Sequence, residues 1–166
     1  MFGRNKLIYN IYKDLINENQ RHRVIQIKGE LGSGKSTLMK KVAHYSYERN
    51  CFPDGVIMED MEKVKSGCRL RDKLKFKCNS LQSMQHKYNE KKMLIILDNV
   101  DYLLTHIADE FYDALNSIIT NTRNLKFMIS TNLNVNIDNR LKGIYVSIIL
   151  DVLNQTDTKK MMFFYA

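Results

Sequence analysis

Eight residues in the first quarter of the chain have the types and the spacing that bind phosphate. Residues 29–36 read Gly-Glu-Leu-Gly-Ser-Gly-Lys-Ser and fit the pattern G-x-x-x-x-G-K-[ST], the phosphate-binding P-loop. Glycines let the backbone bend so that successive N–H groups point into one concavity, which holds an anion. The Lys35 ammonium adds a positive charge for the β- and γ-phosphates. The Ser36 hydroxyl is a hard oxygen ligand suited to Mg²⁺.

The elements on either side of this loop support the same interpretation. A short β-branched run at 24–28 predicts a buried strand, and apolar residues at helical spacing follow Ser36. A Gly/Ser turn that precedes Lys-Ser by chance is the alternative, but the strand–loop–helix context favours nucleotide binding. The residues predicted to contact the phosphates are Gly29, Gly32, Ser33, Gly34, Lys35, Ser36 and Thr37.

A second candidate site residue ends the most apolar segment of the chain. Residues 92–98 form a run that ends in Asp98, as a Walker B segment does, and this carboxylate could hold Mg²⁺ through water while Ser36 binds it directly. A strand-to-helix cap is the alternative for Asp98. Asn99 follows, and an amide cannot accept a proton as a base. Asp101 is the nearest carboxylate that could act as that base, or else it is the N-cap of the next helix.

The order of the predicted elements indicates an α/β fold. Strands are predicted at 24–28, 56–58, 92–98, 127–131 and 145–150, with helices between them. This alternation predicts a P-loop NTPase fold with a five-stranded, mostly parallel sheet flanked by helices on both faces. Ligands bind such sheets at the carboxyl ends of the strands, where the glycine loop, Asp98 and Thr131 all lie.

Composition narrows the class of protein. At 166 residues with 44% apolar residues, one globular domain is expected. No apolar run approaches the length of a membrane span, and the N-terminus has no secretory pattern, so we expect an intracellular (cytoplasmic) protein. The three cysteines lack a C-x-x-C pair, which favours free thiols over a metal site.

The positive charge is concentrated in one segment. Residues 61–92 carry ten Lys or Arg against three acids, which accounts for most of the net charge of +8. Two helices broken near residues 79–80 are predicted here. The segment could meet nucleic acid or an acidic partner, or it could be a solvated basic surface beside an anionic nucleotide. We favour the solvated surface because aromatic residues are not interleaved with these charges in the way that single-strand binding proteins use them for base stacking.

Several segments together resemble a known family. They read FGRNKLIYNIYKDL, VIQIKGELGSGKSTLMKKVA, FPDGVI, LIILDNVDYL, LKFMISTN and LNQTDTKKMMFF, and their order and spacing are similar to those of the NB-ARC nucleotide-binding domain of STAND ATPases. The resemblance implies that Phe2, Gly3 and Arg4 lie against the adenine of ATP or ADP. It further implies that Asp98 organises Mg²⁺ and that Thr131 and Asn132 occupy the sensor position near the γ-phosphate.

The sequence departs from that family at two residues and, as a third departure, ends in what would be the first helix of the lid. Asn5 stands where an acid usually follows Gly-Arg, and Asn132 stands where the family usually has a sensor arginine. We expect a nucleotide-binding domain at 1–152 and the start of a truncated helical lid at 153–166. The apolar block 161–165 would then be left partly uncovered, so protein partners or self-association through the missing-lid surface are expected.

These observations leave several functions open. The leading hypothesis is an ATP- and ADP-binding module of a signalling switch that requires Mg²⁺ and hydrolyses ATP slowly or not at all. The alternatives are an AAA+-like ATPase associated with DNA and a degenerate fragment that binds nucleotide without turnover. A small-molecule or nucleotide kinase is disfavoured because neither an arginine-rich lid over the phosphates nor an acceptor site is recognisable.

Overall fold

The computed structural model describes residues 4–17, 22–74, 81–132, 141 and 143–151, and of residues 67–69, 71, 81–82 and 84–85 only the backbone. Strands and helices alternate along most of the chain. In chain order the elements are α1 (Asn5–Ile16), β1 (Val24–Lys28), α2 (Lys35–Glu48), β2 (Val56–Asp60), α3 (Gly67–Leu74), α4 (Leu81–Tyr88), β3 (Met93–Asp98), α5 (Asp101–His106), α6 (Ala108–Thr120), β4 (Leu125–Thr131) and β5 (Tyr145–Ile149).

The five strands form one sheet in the order β2-β3-β4-β1-β5, and all four neighbouring pairs are parallel. β4 therefore lies between β1 and β3, although it follows both in the chain. In the register of the sheet, Lys28 at the end of β1 pairs with Thr131 of β4, and Asp60 at the end of β2 pairs with Asp98 of β3. The carboxyl ends of all five strands thus meet at one edge.

Both faces of the sheet are covered by helices. Alternate residues of β3 show this directly, because Leu94 and Ile96 pack with α1 and α2 while Ile95 and Leu97 pack with α3, α5 and α6. β1, β3 and β4 are consequently almost wholly buried, as expected of central strands in a parallel sheet with both faces covered. The predicted fold class is confirmed: a parallel α/β sheet with helices on both faces.

The predicted element positions agree with the structure to within a few residues in most places. β1 has the predicted limits, whereas β2 and β4 each extend two residues beyond the prediction. α3 and α4 are the two predicted helices of the basic segment. Phe2, Gly3, the predicted lid at 153–166 and the apolar block at 161–165 lie outside the described residues. Within the described part, no helix is both long and apolar enough to cross a bilayer.

Candidate functional site

The predicted site residues come together at the carboxyl edge of the sheet. The glycine loop leaves β1, Asp98 ends β3, and Thr131 ends β4, which lies between them. Because neighbouring strands are about 4.8 Å apart, the ends of β1 and β3 are separated by roughly 10 Å across β4. Asn132, the first residue after β4, therefore lies between the loop and the acid.

The loop has the backbone shape that its glycines predict. Gly32 and Gly34 have φ values of +78° and +89°, in the left-handed region that other residues avoid. Gly29 is needed for a different reason. A Cβ at Gly29 would lie 2.6 Å from Ser33 Oγ and 2.9 Å from the Leu150 carbonyl oxygen, so only glycine fits there without displacement. α2 begins at Lys35, within the motif, with Gly34 at its N-cap.

The ammonium group of Lys35 lies over the loop and reaches the end of β4. Lys35 is 8% exposed, and its Nζ donates to the carbonyl oxygens of Gly29 at 2.8 Å and Glu30 at 2.9 Å. The same Nζ is 3.4 Å from Oδ1 of Asn132. A phosphate group would compete with these oxygens for the ammonium, so its arrival would change the contact between Lys35 and Asn132.

Asp98 is held by a residue that the sequence analysis did not single out. The carboxylate is 5% exposed, and its Oδ1 accepts a hydrogen bond from the hydroxyl of Ser130. That hydroxyl also accepts from the backbone N–H of Asn99 at 2.8 Å. Ser130 therefore fixes both the acid and the backbone that follows it. A serine directly after the apolar residues 127–129 was the sequence signal for this role.

Asp101 connects α5 to the end of β4. Its Oδ1 accepts from the backbone N–H of Asn132 at 2.7 Å. Asp101 is the first residue of α5, and Val100 occupies the N-cap, so the alternative that Asp101 is the N-cap is wrong. The carboxylate instead positions Asn132, which in turn lies beside Lys35.

Asn99 is directed toward the far side of β3. Its φ of +59° is left-handed, and its side-chain amide donates to Oδ1 of Asp60 at 3.1 Å. β2, which ends at Asp60, lies on the side of β3 opposite to β4 and β1, so this contact draws the amide away from the loop. The backbone N–H of Glu62 and the Asn99 amide both donate to Asp60 and hold the pKa of its carboxyl below the ordinary value.

The remaining predicted residues are placed differently. Ser36 is half-buried in the first turn of α2, and Thr37 beside it is exposed. Thr131 is fully buried, and its hydroxyl accepts from the Gln26 side chain at 2.9 Å, so the structure does not bring this hydroxyl to the loop surface. Its carbonyl instead accepts from the Gly29 N–H at 3.1 Å.

Arg4 lies beneath the loop. It is 6% exposed, and its two terminal nitrogens donate to the carbonyl oxygens of Ser33 at 2.7 Å and Asp151 at 2.6 Å. Burial lowers the pKa of the guanidinium, and the nearby Asp151 carboxylate partly offsets that effect. The guanidinium expected to lie against adenine thus contacts the phosphate-binding loop itself.

The residues at this edge fit a magnesium nucleotide. The loop offers bent backbone and a buried cation, and Asp98 offers a carboxylate oxygen that is held in place. Among the described residues, no group of three or more His, Cys, Asp or Glu side chains could hold a metal by itself. A Mg²⁺ ion here would therefore draw most of its ligands from phosphate oxygens and water, as is usual for nucleotide sites.

Comparison with solved structures identifies the same fold in larger proteins. The Aeropyrum pernix ORC1 protein in complex with DNA matches with a TM-score of 0.74 at 12% identity over 99% of this chain and 49% of that one. Drosophila ORC bound to DNA matches with a TM-score of 0.70 at 14% identity over 96% and 46%. A DNA replication initiation factor matches with a TM-score of 0.61 at 19% identity over 97% and 50%.

The chain spans about half the length of each of these three structures, and at such low identity the likeness shows the fold alone. A search of the curated proteins finds no significant match. The model of the NACHT domain family matches residues 23–162, which include the loop, Asp98 and Asn132. The narrower NB-ARC assignment stays a prediction. The chain therefore belongs to the NACHT family of P-loop NTPases, which implies nucleotide binding.

Proposed function

We propose that this chain is the nucleotide-binding module of a signalling switch, which takes up ADP or ATP with Mg²⁺ and hydrolyses ATP slowly. The observation that carries the proposal is the contact of Lys35 with both the loop and Asn132. In this proposal Lys35 binds the β- and γ-phosphates, and Asn132, whose Oδ1 is 3.4 Å from Lys35 Nζ, senses the γ-phosphate. If ATP and ADP differ in how they change the contact between these two residues, the module can distinguish the two nucleotides.

The proposed signal path runs from the phosphates to α5. Displacement of Lys35 by a γ-phosphate would free Oδ1 of Asn132, whose backbone is tied to Asp101 at the start of α5. A movement of Asn132 would thus change the position of α5. Such a path lets one phosphate group bias the position of a helix without any chemical step.

Slow hydrolysis is expected from the residues that follow β3. Asn99 cannot accept a proton, and its side chain is held toward Asp60 rather than toward the loop. Asn132 carries no positive charge to stabilise the transferring phosphoryl group, where an arginine would. Asp101 has a carboxylate, but one of its oxygens is engaged by the Asn132 backbone.

Ser36 and Asp98 are the residues proposed to hold magnesium. The Ser36 hydroxyl would bind the ion directly, and Asp98 would bind it through water. The ion, when bound, neutralises charge on the β- and γ-phosphates. Ser130 keeps the Asp98 carboxylate in one orientation, because its hydroxyl donates to Oδ1.

The proposal is tested by measuring turnover and conformation on the full chain. We expect ATP turnover far below the ~1–100 s⁻¹ typical of kinases. Hydrogen exchange at residues 99–106 should differ between the complex with ADP and the complex with a non-hydrolysable ATP analogue. Asn132→Ala should abolish that difference, because it removes the side-chain contact to Lys35. Turnover in the kinase range, or identical exchange in the two complexes, would contradict the switch.

A DNA-associated ATPase is the second candidate function. Two of the similar structures are complexes of ORC proteins with DNA, and residues 61–92 of this chain are strongly basic. Several described lysines of that segment already have neighbours: Lys73 pairs with Glu59 at 2.5 Å, Lys91 pairs with Asp54 at 2.7 Å, and Lys65 lies 4.0 Å from the Tyr102 ring centroid. If the chain binds duplex DNA and the logarithm of the binding constant falls steeply with the logarithm of the salt concentration, as when several phosphates are neutralised, this candidate would be favoured over the switch.

A further inference from the structure

Arg4 joins two backbone segments that are distant in the sequence. It stands just before α1, and one terminal nitrogen donates to the Ser33 carbonyl in the glycine loop. The other donates to the carbonyl of Asp151, the second residue after β5. Arg4 is 6% exposed, so little of its surface is open to a base.

The bond to Ser33 fixes the direction of one N–H group. A trans peptide holds its C=O and its N–H in opposite directions, and the described part of the chain has no cis peptide. The Ser33 carbonyl is directed at Arg4, so the N–H of Gly34 in the same peptide is directed away from Arg4. Gly34 is the N-cap of α2, and its own carbonyl accepts from the Leu38 N–H at 2.9 Å. That bond holds the next peptide, Gly34–Lys35, so two successive peptides at the start of α2 are each held through their carbonyl oxygens.

The bond to Asp151 fastens the loop to the end of β5. Leu150 donates its N–H to the Lys28 carbonyl at 2.6 Å, which extends the pairing of β5 with β1 up to the start of the loop. The space beside Gly29 is filled by Leu150 and by Ser33 Oγ. Arg4 thus links the glycine loop to the residues that follow β5, which are themselves paired with the end of β1.

We infer that Arg4 is a positioning residue for phosphate: it holds the Ser33–Gly34 peptide so that the Gly34 N–H points into the concavity that receives the diphosphate of a nucleotide. This inference rests on the proposed nucleotide binding. It differs from the family resemblance, which assigns Arg4 to the adenine. The buried guanidinium also places a positive charge behind the loop, where it adds to the field of Lys35.

The test compares ligands that share the phosphates but not the base. ADP and pyrophosphate are titrated into the full chain and into Arg4→Ala and Arg4→Lys. Arg4→Ala removes the bond that orients the Ser33–Gly34 peptide, so the Gly34 N–H is no longer held toward the phosphates. The affinities for ADP and for pyrophosphate should therefore fall by the same factor, about 10- to 100-fold. Arg4→Lys keeps the charge but cannot reach both carbonyls with a planar fork, so it should give a smaller, equal loss for both ligands.

Arg23 provides a matched control at the opposite end of β1. It also donates to backbone carbonyls, those of Ile119 at 2.7 Å and Leu125 at 2.9 Å, but it lies far from the loop. Arg23→Ala should lower the unfolding midpoint and leave the pyrophosphate affinity of the folded protein unchanged.

The possible outcomes separate the inference from the proposed function. If the parent chain binds neither ADP nor pyrophosphate, the proposed function fails and the inference fails with it. If Arg4→Ala weakens ADP alone, Arg4 acts on the adenine and the inference is wrong. If Arg4→Ala does not fold, Arg4→Lys decides, and parental pyrophosphate affinity in that variant would overturn the inference.

Discussion

The contact between Gly29 and the end of β5 leads to a quantitative prediction for Gly29→Ala. The added Cβ would lie 2.6 Å from Ser33 Oγ, 2.9 Å from the Leu150 carbonyl oxygen and 3.3 Å from Leu150 Cβ. The serine hydroxyl can rotate, but the Leu150 backbone is fixed by its bond to Lys28. The substitution should therefore push β5 away from β1 by a few tenths of an ångström or more.

The free-energy change follows from two opposing effects. Overpacking by one methyl group costs about 1–3 kcal/mol. Alanine also restricts the unfolded chain, which stabilises the folded state by about 0.4–1 kcal/mol. The net loss of about 1–2 kcal/mol corresponds to a roughly 5- to 30-fold change in the unfolding equilibrium. With a urea m-value of about 2 kcal/mol/M, the midpoint should fall by roughly 0.5–1 M.

Gly32→Ala is the matched control within the same loop. A Cβ at Gly32 meets nothing within 4 Å, but φ there is +78°. Its cost is backbone strain of about 1–2 kcal/mol, without any push on β5. Urea unfolding should therefore show losses for both variants, whereas hydrogen exchange at Leu150 should rise in Gly29→Ala alone. An unchanged midpoint together with unchanged exchange at Leu150 in Gly29→Ala would refute the packing argument.

Two further predictions concern the acids at the ends of β2 and β3. Asp98→Asn should reduce nucleotide affinity far more when Mg²⁺ is present than in EDTA, because the carboxylate acts through the ion. If the ratio of the affinity in Mg²⁺ to the affinity in EDTA is the same in variant and parent, the metal role is refuted. Asp60→Asn should lower stability at pH 7 by less than about 1 kcal/mol, because the carboxylate is exposed. Since the pKa of Asp60 is lowered by folding, its contribution is present above the unfolded value of about 3.9 and is lost as pH falls through the folded value. The difference between parent and variant in urea unfolding should therefore shrink as the pH falls below that unfolded value and disappear below the folded pKa, and a difference that stays constant would contradict this.

The parts of the structure that depend on local pattern were predictable. β1 is a short run rich in β-branched residues, β3 is an apolar run that ends in an acid, and the glycine loop has a fixed motif. Their types and approximate limits therefore follow from the sequence. The position of β4 between β1 and β3 was not predictable, because no local signal encodes strand order. That order nevertheless decides which residues share the site, and it places Asn132 beside Lys35.

Side-chain contacts between residues far apart in the sequence could not be predicted either. Arg4 and Asp151 are 147 positions apart, and nothing near Arg4 in the sequence indicates a carbonyl partner. Asn99 could be recognised as unable to act as a base, but its contact with Asp60 requires both the left-handed backbone at Asn99 and the pairing of β2 with β3. These contacts arise from tertiary packing rather than from local preference.

Nucleotide binding by Lys35 is the central claim, and calorimetric titration of ADP with Mg²⁺ into the full chain tests it most directly. We predict saturable binding at one site per chain, and a loss of at least about 10-fold in Lys35→Ala, since each charge-assisted phosphate contact contributes about 1.5–3 kcal/mol. Circular dichroism should show that the variant keeps the parental fold. Equal affinity in the parent and in a folded Lys35→Ala variant would contradict the account.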